Sequence, residues 1–485
     1  MRSKVRFHLN GELHEVQHCP PTLTVLDYLR NECRLTGSKE GCAEGDCGAC
    51  TLIVAEAGST GTEYLAMNSC ILFLAAIDGK SLISVDGLAL GDGALHPVQA
   101  AMVEQHGSQC GFCTPGFVMS LAAMYQDHDQ QPYSRENLNL NLAGNLCRCT
   151  GYAPIVRAAE QSLVSRDSTL VKELDQRVTT ELEFLESDPP LSVEGTNGRV
   201  FAPRTLAQLL ELRKNHPLAT LVAGATDVGL WVNKDLQTFD TVIHTGAVAE
   251  LLEISKENEL IKIGAAVRLR DALPELIRHY PSMRDMLERF GGAQVRNAGT
   301  IGGNIANGSP IGDMPPALIA LGARLELHSL ESRREIALED FFIDYGRQDL
   351  KPDEVVSAVL LPIHDDGQFA CYKISKRPEQ DISALCAGIF MRLDRDAIEE
   401  ARICFGGMAG TPSRAGQCEK ALTGKPWRRD TFESAMQALK EDFTPISDMR
   451  ASAAYRMRVA RNLLLRFFIE HDVPERRMQE TSSVR

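Results

Sequence analysis

The chain has 485 residues, 44% of them hydrophobic and 24% charged, which predicts several folded domains rather than a disordered protein. Its net charge of −14 excludes the basic surface that nucleic-acid binding requires, so no nucleic-acid partner is expected. No apolar run reaches the roughly 18 residues of a membrane span, and the start of the chain lacks a signal-peptide core. We therefore expect a cytoplasmic protein with no membrane partner.

The first segment, residues 1–88, mixes short strands with one helix and a cysteine loop. Residues 51–58 and 81–88 have the composition of strands, whereas residues 22–33 have helical spacing, with Thr22 or Thr24 as the candidate N-cap. This mixture predicts a small α+β domain of the ferredoxin type.

A compact set of four cysteines lies within this first segment. Cys42, Cys47 and Cys50 have the C-x4-C-x2-C spacing of a plant-type 2Fe–2S cluster, and Cys70 supplies a fourth thiolate. Such an anionic site needs inward-pointing N–H groups, so we expect Gly41, Gly45 and Gly48 to adopt turns with positive φ. A zinc site is the alternative, because structural zinc also binds closely spaced cysteines.

Residues 89–165 are predicted to be helical. Apolar residues recur every three or four positions in four stretches, which are residues 96–107, 114–126, 134–144 and 153–163. Prolines stand near the starts of several of these stretches, where a missing N–H is harmless. The pattern predicts a bundle of four short helices.

A second set of four cysteines belongs to the helical segment. It consists of a C-x2-C pair, Cys110 and Cys113, and a C-x-C pair, Cys147 and Cys149. Each pair precedes a predicted helix, with Thr114 as the N-cap candidate of the first, so two positive helix ends would face one anionic centre. A second 2Fe–2S cluster is the favoured interpretation, with zinc again as the alternative.

The rest of the chain divides into three segments. Residues 166–199 are charged and without a clear apolar period, which predicts a linker with helix in its first half. Residues 200–374 combine short β-runs, helices and glycine-rich turns, and residues 375–485 form a final α+β segment with a strand and two long helices. The remaining six cysteines are scattered and are expected to be small buried hydrophobic residues.

Two loops in the 200–374 segment suggest a nucleotide site. The first follows an apolar strand and offers small residues to a diphosphate, with Asp227 as a cap for the next turn or helix. The second supplies hydroxyl, amide, carboxylate and bare backbone groups from Thr300, Gly302, Gly303, Asn304 and Asp313. A tight strand–helix turn and a β-bulge corner without ligand are the respective alternatives.

In their order along the chain, these motifs resemble the molybdenum hydroxylase family. The resemblance joins both cysteine motifs to LVAGATDVGL, QVRNAGTIGGNIANGSPIGD and FGGMAGTPSRA, and it covers nearly the whole chain. It implies a multidomain α+β protein with four parts. These are a plant-type ferredoxin β-grasp domain, a four-helix 2Fe–2S bundle domain, a vanillyl-alcohol-oxidase-type FAD domain and a C-terminal α+β subdomain.

The resemblance also implies roles for individual residues. It places the FAD pyrophosphate at Leu221, Val222, Ala223, Gly224, Ala225, Thr226, Asp227 and Val228. It places other FAD contacts at Phe290, Thr300, Gly303, Asn304, Asp313 and Lys373. It further implies that Gln109 touches the pterin of a molybdenum cofactor and that the loop from Ile374 to Asp381, with Tyr345, lies where NAD approaches.

The activity implied by the resemblance needs a second chain. The implied function is electron transfer from a partner-bound molybdenum cofactor through two 2Fe–2S clusters to FAD and then NAD, during oxidation of hypoxanthine and xanthine to urate. The implied partner is a large molybdopterin-binding subunit in a dimer of heterodimers, and no residue of this chain hydroxylates the purine. The alternatives are the same relay for an aldehyde, nicotinate or an aromatic acyl thioester, and a zinc-stabilised interaction protein without activity.

Overall fold

The computed structural model describes residues 2–90, 93–127, 133–195, 198–377 and 382–472. They form two compact units. The first unit comprises Met1–Leu252, Arg268–Arg270 and Gly291–Thr300, and the second comprises Glu253–Val267, Asp271–Phe290 and Ile301–Arg485. Among the described helices, none has the length and apolarity that a bilayer crossing needs.

The first unit begins with a five-stranded mixed sheet. Its strands, in spatial order, are Glu12–Val16, Val5–Leu9, Ser81–Ile83, Thr51–Gly58 and Gly61–Asn68. Val5–Leu9 runs parallel to Ser81–Ile83, as a β-grasp sheet requires. The strand predicted over residues 81–88 is shorter than expected and ends at Ile83. Thr24 is confirmed as an N-cap, since its side chain accepts from Asp27 N, but the helix Val25–Asp27 continues as a π-turn over Tyr28–Glu32.

The predicted helical bundle of the first unit is confirmed. The helices are Pro97–Glu104, Thr114–Gln126, Arg135–Leu142 and Ala153–Val164. Their apolar faces share one core, in which Phe117, Leu121 and Leu138 are almost inaccessible to solvent. Thr114 is not the N-cap as predicted: Cys113 occupies that position, and the Thr114 hydroxyl donates to Ser108 Oγ instead.

The segment expected to be a linker is more ordered than its sequence suggested. Residues Ser168–Glu186 form a 19-residue helix that buries Val178, Leu182 and Leu185. Its polar side chains bond to the β-grasp sheet, as in the 2.6 Å hydrogen bond from Ser81 Oγ to Glu181. The apolar spacing was hidden because the buried stripe is narrow and includes this buried glutamate.

A four-stranded sheet completes the first unit. Its strands, in order, are Leu191–Gly195, Gly198–Ala202, Thr241–His244 and Thr220–Val222, and the last three run parallel. The helices Leu206–Asn215 and Val228–Asn233 and the short helix Ala293–Arg296 accompany it. The sheet matters for function because the turn after Val222 carries the first candidate flavin loop.

The second unit contains a five-stranded antiparallel sheet. Its strands, in order, are Ile254–Glu257, Leu260–Gly264, Val355–Pro362, Arg324–His328 and Arg333–Ala337. The short strands Phe342–Asp344 and Arg347–Gln348 pair separately. The helices are Leu269–His279 (from Asp271 onward), Arg284–Glu288, Ile301–Ala306, Met314–Ala320 and Leu338–Phe341.

The end of the second unit is an α+β layer. Its strands, in order, are Gln368–Ile374, Leu385–Asp394, Ala397–Gly406 and Ser413–Arg414, and its helices are Gly416–Leu422, Arg429–Asp442 and Ala453–His471. Arg456, on the last helix, is almost wholly buried; its Nη2 donates to both carboxylate oxygens of Asp448, and its other nitrogens donate to the Ala384 and Ile446 carbonyls. This one side chain fastens the segment before the helix to the sheet.

Candidate redox sites

Three cysteines of the first set lie in the loop between the π-turn and the β-grasp hairpin, and Cys70 follows the hairpin. Cys50 and Cys70 are buried, whereas Cys42 and Cys47 are half-buried. The thiols are neighbours: Cys42 shares hydrogen bonds with Cys47 and Cys70, and Cys70 shares one with Cys50. The hydrogen bonds from Cys47 and Cys70 hold the pKa of the Cys42 thiol well below its usual range, and the same bonds raise the pKa of the Cys47 and Cys70 thiols.

Backbone N–H groups converge on this set. Cys42 Sγ accepts from Glu44 N, Asp46 N and Cys47 N at 3.3–3.4 Å. Gly45 and Gly48 have the expected positive φ, of 77° and 69°. The expectation for Gly41 was wrong, because its φ is not positive. Glycine is required at this position for space, since a Cβ there would stand 2.7 Å from Cys47 Sγ.

The second cysteine set opens towards the surface. Cys110 and Cys149 are exposed and share a hydrogen bond, and the half-buried Cys113 and Cys147 share another. Cys113 is the N-cap of helix Thr114–Gln126, and the second pair precedes helix Ala153–Val164. Both helix starts therefore lie beside the four sulfurs as predicted, where the positive end of each helix favours thiolates.

The two cysteine loops are in direct backbone contact. Leu146 N, which precedes Cys147, donates a 3.0 Å hydrogen bond to Cys47 O. Gly116, two residues into the helix that follows Cys113, approaches Gly48 so closely that a Cβ at Gly116 would lie 2.1 Å from the Gly48 carbonyl oxygen. A path from Cys47 to Cys147 thus runs through the Cys47 carbonyl, one hydrogen bond and the backbone of Leu146.

The first candidate flavin loop is a tight turn after the strand Thr220–Val222. Ala225 has a φ of +57°, and a Cβ at Gly224 would lie 1.8 Å from the Ala298 carbonyl oxygen. Asp227 is the N-cap of helix Val228–Asn233 as predicted, but its carboxylate accepts from the Trp231 indole at 3.0 Å rather than from the helix backbone. Thr300 is buried in the same unit and pairs with Arg268 in an isolated β-bridge.

The helix after this loop is attached to the first cysteine set. Asn233 Nδ2 donates to the carbonyls of Cys70, at 2.7 Å, and Ala43, at 3.1 Å. Gly229 packs on Ile71, where a Cβ would meet the Ile71 carbonyl oxygen at 2.8 Å. Sequence reasoning missed Asn233 and Gly229, since their partners lie more than 150 residues away.

The second candidate loop belongs to the other unit, apart from Thr300. Gly303 is exposed and Asn304 is half-buried on the helix Ile301–Ala306. The side-chain oxygen of Asn304, Oδ1, is shielded from solvent and has no hydrogen-bond partner, which leaves a buried acceptor free for a ligand hydroxyl or N–H. An orphaned acceptor of this kind fits a donating hydroxyl of the ribityl chain or ribose of a flavin nucleotide.

Asp313 and Lys373 meet in a buried polar triad of the second unit. Lys373 Nζ forms an ion pair with Asp313 and donates to Ser383 Oγ at 3.0 Å, and Ser383 Oγ donates to the Asp313 carboxylate at 2.5 Å. All three residues are at most 6% exposed. Each charge is thus compensated, as burial demands. Sequence reasoning missed Ser383, although it closes the motif CYKISKRPEQDIS.

The remaining predicted residues differ in how far they are exposed to solvent. Phe290 is half-buried after the helix Arg284–Glu288, and Tyr345 and Gln109 are exposed. The loop from Ile374 to Asp381 is described only up to residue 377, so the rest of that prediction lies outside the described residues. Of the scattered cysteines, Cys33 is half-buried, and the others are buried as expected, namely Cys19, Cys371, Cys386, Cys404 and Cys418.

Four family models match the chain in succession. They are a 2Fe-2S iron-sulfur cluster binding domain at residues 7–74, a 2Fe-2S binding domain at 84–160, the FAD binding domain in molybdopterin dehydrogenase at 194–364 and the CO dehydrogenase flavoprotein C-terminal domain at 370–471. Both the iron–sulfur and the FAD-binding character expected from the motifs are confirmed at the level of these domains.

Relatives and solved structures agree with the family models. Xanthine dehydrogenase of Oryza sativa subsp. japonica is 33% identical over 87% of this chain and 36% of its own length. That of Emericella nidulans is 32% identical over 97% of this chain and 38% of its own length. The chain therefore spans well under half the length of these relatives.

The solved structures show the same fold over part of the chain. Carbon monoxide dehydrogenase from Hydrogenophaga pseudoflava matches with a TM-score of 0.53 and 26% identity, over 55% of this chain and 94% of that chain. Quinoline 2-oxidoreductase from Pseudomonas putida 86 has a TM-score of 0.52 and 24% identity, over 56% and 94% of the respective chains, which supports the fold alone. With the ordered cysteine and flavin motifs, these matches show that the chain belongs to the molybdenum hydroxylase family, of which it carries the iron–sulfur and flavin domains.

Proposed function

We propose that the chain is the electron-transfer subunit of an NAD-dependent xanthine dehydrogenase. When bound, two 2Fe–2S clusters and FAD would carry single electrons from a partner-held molybdenum cofactor and release them in pairs to NAD. The observation that supports this most strongly is the backbone hydrogen bond from Leu146 N to Cys47 O, which joins the two cysteine loops.

The cysteine geometry fits iron–sulfur clusters better than zinc. Structural zinc draws four ligands to one ion. Models of 2Fe-2S domains match both cysteine sets, at residues 7–74 and 84–160. In a 2Fe–2S cluster four thiolates are divided between two irons, and the second set does fall into the pairs Cys110–Cys149 and Cys113–Cys147.

The assigned ligands follow from these sets. We assign the first cluster to Cys42, Cys47, Cys50 and Cys70, and the second to Cys110, Cys113, Cys147 and Cys149. The N–H groups directed at Cys42 Sγ would offset the negative charge of the first cluster and raise its reduction potential. Exposure of Cys110 and Cys149 supports the second cluster as the point where electrons enter from another subunit.

FAD is assigned to the two loops. Residues 221–228 would hold the diphosphate, because this turn after a strand consists of small residues, with Ala225 at a φ of +57°. The free Asn304 oxygen would accept from the bound nucleotide. Thr300, Gly303, Asp313, Lys373 and Phe290 remain the other proposed contacts, and Lys373, held by Asp313, would place a fixed positive charge beside the flavin.

The partner and substrate are inferred from the relatives. The proposed partner is a large molybdopterin-binding subunit, in a cytoplasmic dimer of heterodimers, because the matched flavin model is that of molybdopterin dehydrogenases. Xanthine and hypoxanthine are the proposed substrates, with urate as product. A solved structure favours a second candidate, the same relay in a molybdenum hydroxylase for another substrate, since the Hydrogenophaga pseudoflava protein is a carbon monoxide dehydrogenase.

One purification tests the proposal. The chain is expressed with ample iron and riboflavin, its iron, zinc and flavin contents are measured, and the reduced protein is examined by electron paramagnetic resonance. We expect about four irons and one FAD per chain and two distinct 2Fe–2S signals. A colourless zinc protein would refute the relay.

Substrate and acceptor are tested next, on the complex with the co-purified molybdenum subunit. Xanthine, quinoline, an aldehyde and nicotinate are compared with NAD and with oxygen as acceptors. If NADH forms with xanthine and with none of the other three substrates, the first candidate is supported. Turnover only with another substrate supports the second.

A further inference from the structure

A buried polar cluster lies where three parts of the first unit meet. It consists of Thr51 from the β-grasp sheet, Ser120 and Asn145 from the helical segment, and Gln294 from the loop 291–300. Each of the four residues is at most 2% exposed. Gln294 Nε2 lies 3.2 Å from Thr51 Oγ1, 3.2 Å from Ser120 Oγ and 3.0 Å from Asn145 Oδ1, so one amide contacts all the other members.

The cluster acts directly on the two cysteine loops. The Gly48 carbonyl, between Cys47 and Cys50, accepts from Thr51 Oγ1 at 2.6 Å and from Asn145 Nδ2 at 3.3 Å. Asn145 itself stands two residues before Cys147. Its side chain is held in place by Ser120 Oγ, which donates to Asn145 Oδ1 at 2.7 Å. Both loops are therefore fixed by the same few side chains.

Three backbones also meet beside the cluster without intervening side chains. A Cβ at Gly48 would lie 2.2 Å from the Gly144 carbonyl oxygen, and a Cβ at Gly292 would lie 2.5 Å from Gly144 Cα. A Cβ at Gly144 would lie 2.0 Å from Gln294 Oε1. These three glycines bring the two cysteine loops and the loop 291–300 to the closest possible approach.

The loop that carries Gln294 reaches the first flavin loop as well. Its Ala298 carbonyl is the group that Gly224 packs against. Gln294 Oε1 is buried and unpartnered, and a buried amide with an unused oxygen is a costly choice for simple packing. What the glutamine supplies at this place is its NH2 group, directed at the cluster.

We infer that Gln294 is a positioning residue that sets the spacing of the two iron–sulfur loops and ties it to the loop 291–300. This role rests on the proposed function, because it requires both cysteine sets to hold clusters. The side chain touches no proposed ligand of the metals or of the flavin. It acts through Asn145, Thr51 and the Gly48 carbonyl, whose positions determine how close the loops lie.

The test replaces the amide while keeping the volume. In Gln294→Met the side chain fills the same space but donates no hydrogen bond. The matched control is Gln208→Met, on helix Leu206–Asn215 of the same unit, where the Gln208 amide oxygen accepts only from Arg204 N among the bonds described. For each full-length protein, iron and flavin contents, thermal unfolding and the resonance spectrum of the fully reduced state are measured.

The decisive readout is the magnetic interaction between the two reduced clusters. We expect Gln294→Met to keep iron and flavin at wild-type levels but to change and broaden this splitting. We also expect electron transfer between the clusters to slow several-fold, with Gln208→Met unchanged. A spectrum and transfer rate identical to wild type would overturn the positioning role, even if the variant melts earlier, because altered stability alone indicates packing.

Two further outcomes are also decisive. If Gln294→Met loses a cluster, the milder Ser120→Ala removes one partner of the same amide, and a changed splitting there supports the role whereas an unchanged one overturns it. Absence of both cluster signals from the wild-type chain would overturn the proposed function itself. A missing difference between wild type and variants overturns the role of Gln294 alone.

Discussion

Gly224→Ala is expected to disrupt the first flavin loop by a collision between backbones. The added Cβ would lie 1.8 Å from the Ala298 carbonyl oxygen and 2.4 Å from its carbon. Carbon–oxygen contacts normally begin near about 3.3 Å, so the two segments must separate by roughly 1.5 Å. No rotamer change relieves a clash with backbone. The expected loss of stability is therefore near the upper end of the range for overpacked cores, about 3 kcal/mol. That free energy lowers the population of the native loop conformation roughly a hundredfold.

The assay for this variant compares flavin and iron on the same preparation. FAD per chain is expected to fall to a small fraction of the wild-type value, and the iron content is expected to fall much less, because none of the eight cysteines lies in the turn. Gly246→Ala is the control, since its Cβ would meet only the Ala223 oxygen, at an ordinary 3.9 Å. Wild-type flavin content in Gly224→Ala would refute the assignment of this turn to the diphosphate.

Three other substitutions test separate parts of the structure. Cys113→Ser should abolish one 2Fe–2S resonance and keep the other, and two intact signals would contradict its role as a ligand. Asp313→Ala leaves a buried lysine charge uncompensated, so flavin content should fall at least several-fold, and an unchanged flavin ratio would count against the triad as part of the site. Hydrogen bonds from Arg456 lower the pKa of Asp448 from 3.8 to about 2, so the pair stabilises the fold fully above about pH 4 and loses that contribution as the pH falls towards 2. Asp448→Asn should therefore cost at least about 1 kcal/mol at pH 7, allowing for screening of this partly exposed group, and much less near pH 2, as followed by Trp427 fluorescence in urea.

Local patterns in the sequence predicted most of the elements. The four helices of the bundle and the long helix Ala453–His471 agree with the three- and four-residue spacing of apolar positions. The helix Ser168–Glu186 was harder to identify, because the face it buries contains Glu181, whose partner Ser81 lies 100 residues earlier. A charged residue on a buried face weakens the apolar period although the helix is intact.

The candidate ligands could be proposed from spacing, but their supports could not. Cys42, Cys47 and Cys50 are close in sequence, and a loop of that length places them together. Asn233 and Gln294 act at 163 and 149 residues from their partners Cys70 and Asn145. Hydrogen bonds over such separations depend on how the domains pack, and neither periodicity nor spacing contains that information.

Glycines are the one local signal that could have indicated these contacts. Gly48, Gly144 and Gly292 each stand within five residues of a cysteine motif or a candidate flavin loop, and none of the three could carry a Cβ without striking a neighbouring segment. A glycine in a turn is usually explained by its φ, yet Gly144 and Gly292 have no positive φ. Where a glycine beside a functional motif is not needed for the turn, close approach of another segment is the remaining physical reason for it. Substituting alanine at Gly144 should then disturb both cysteine loops at once, which distinguishes a contact glycine from a turn glycine.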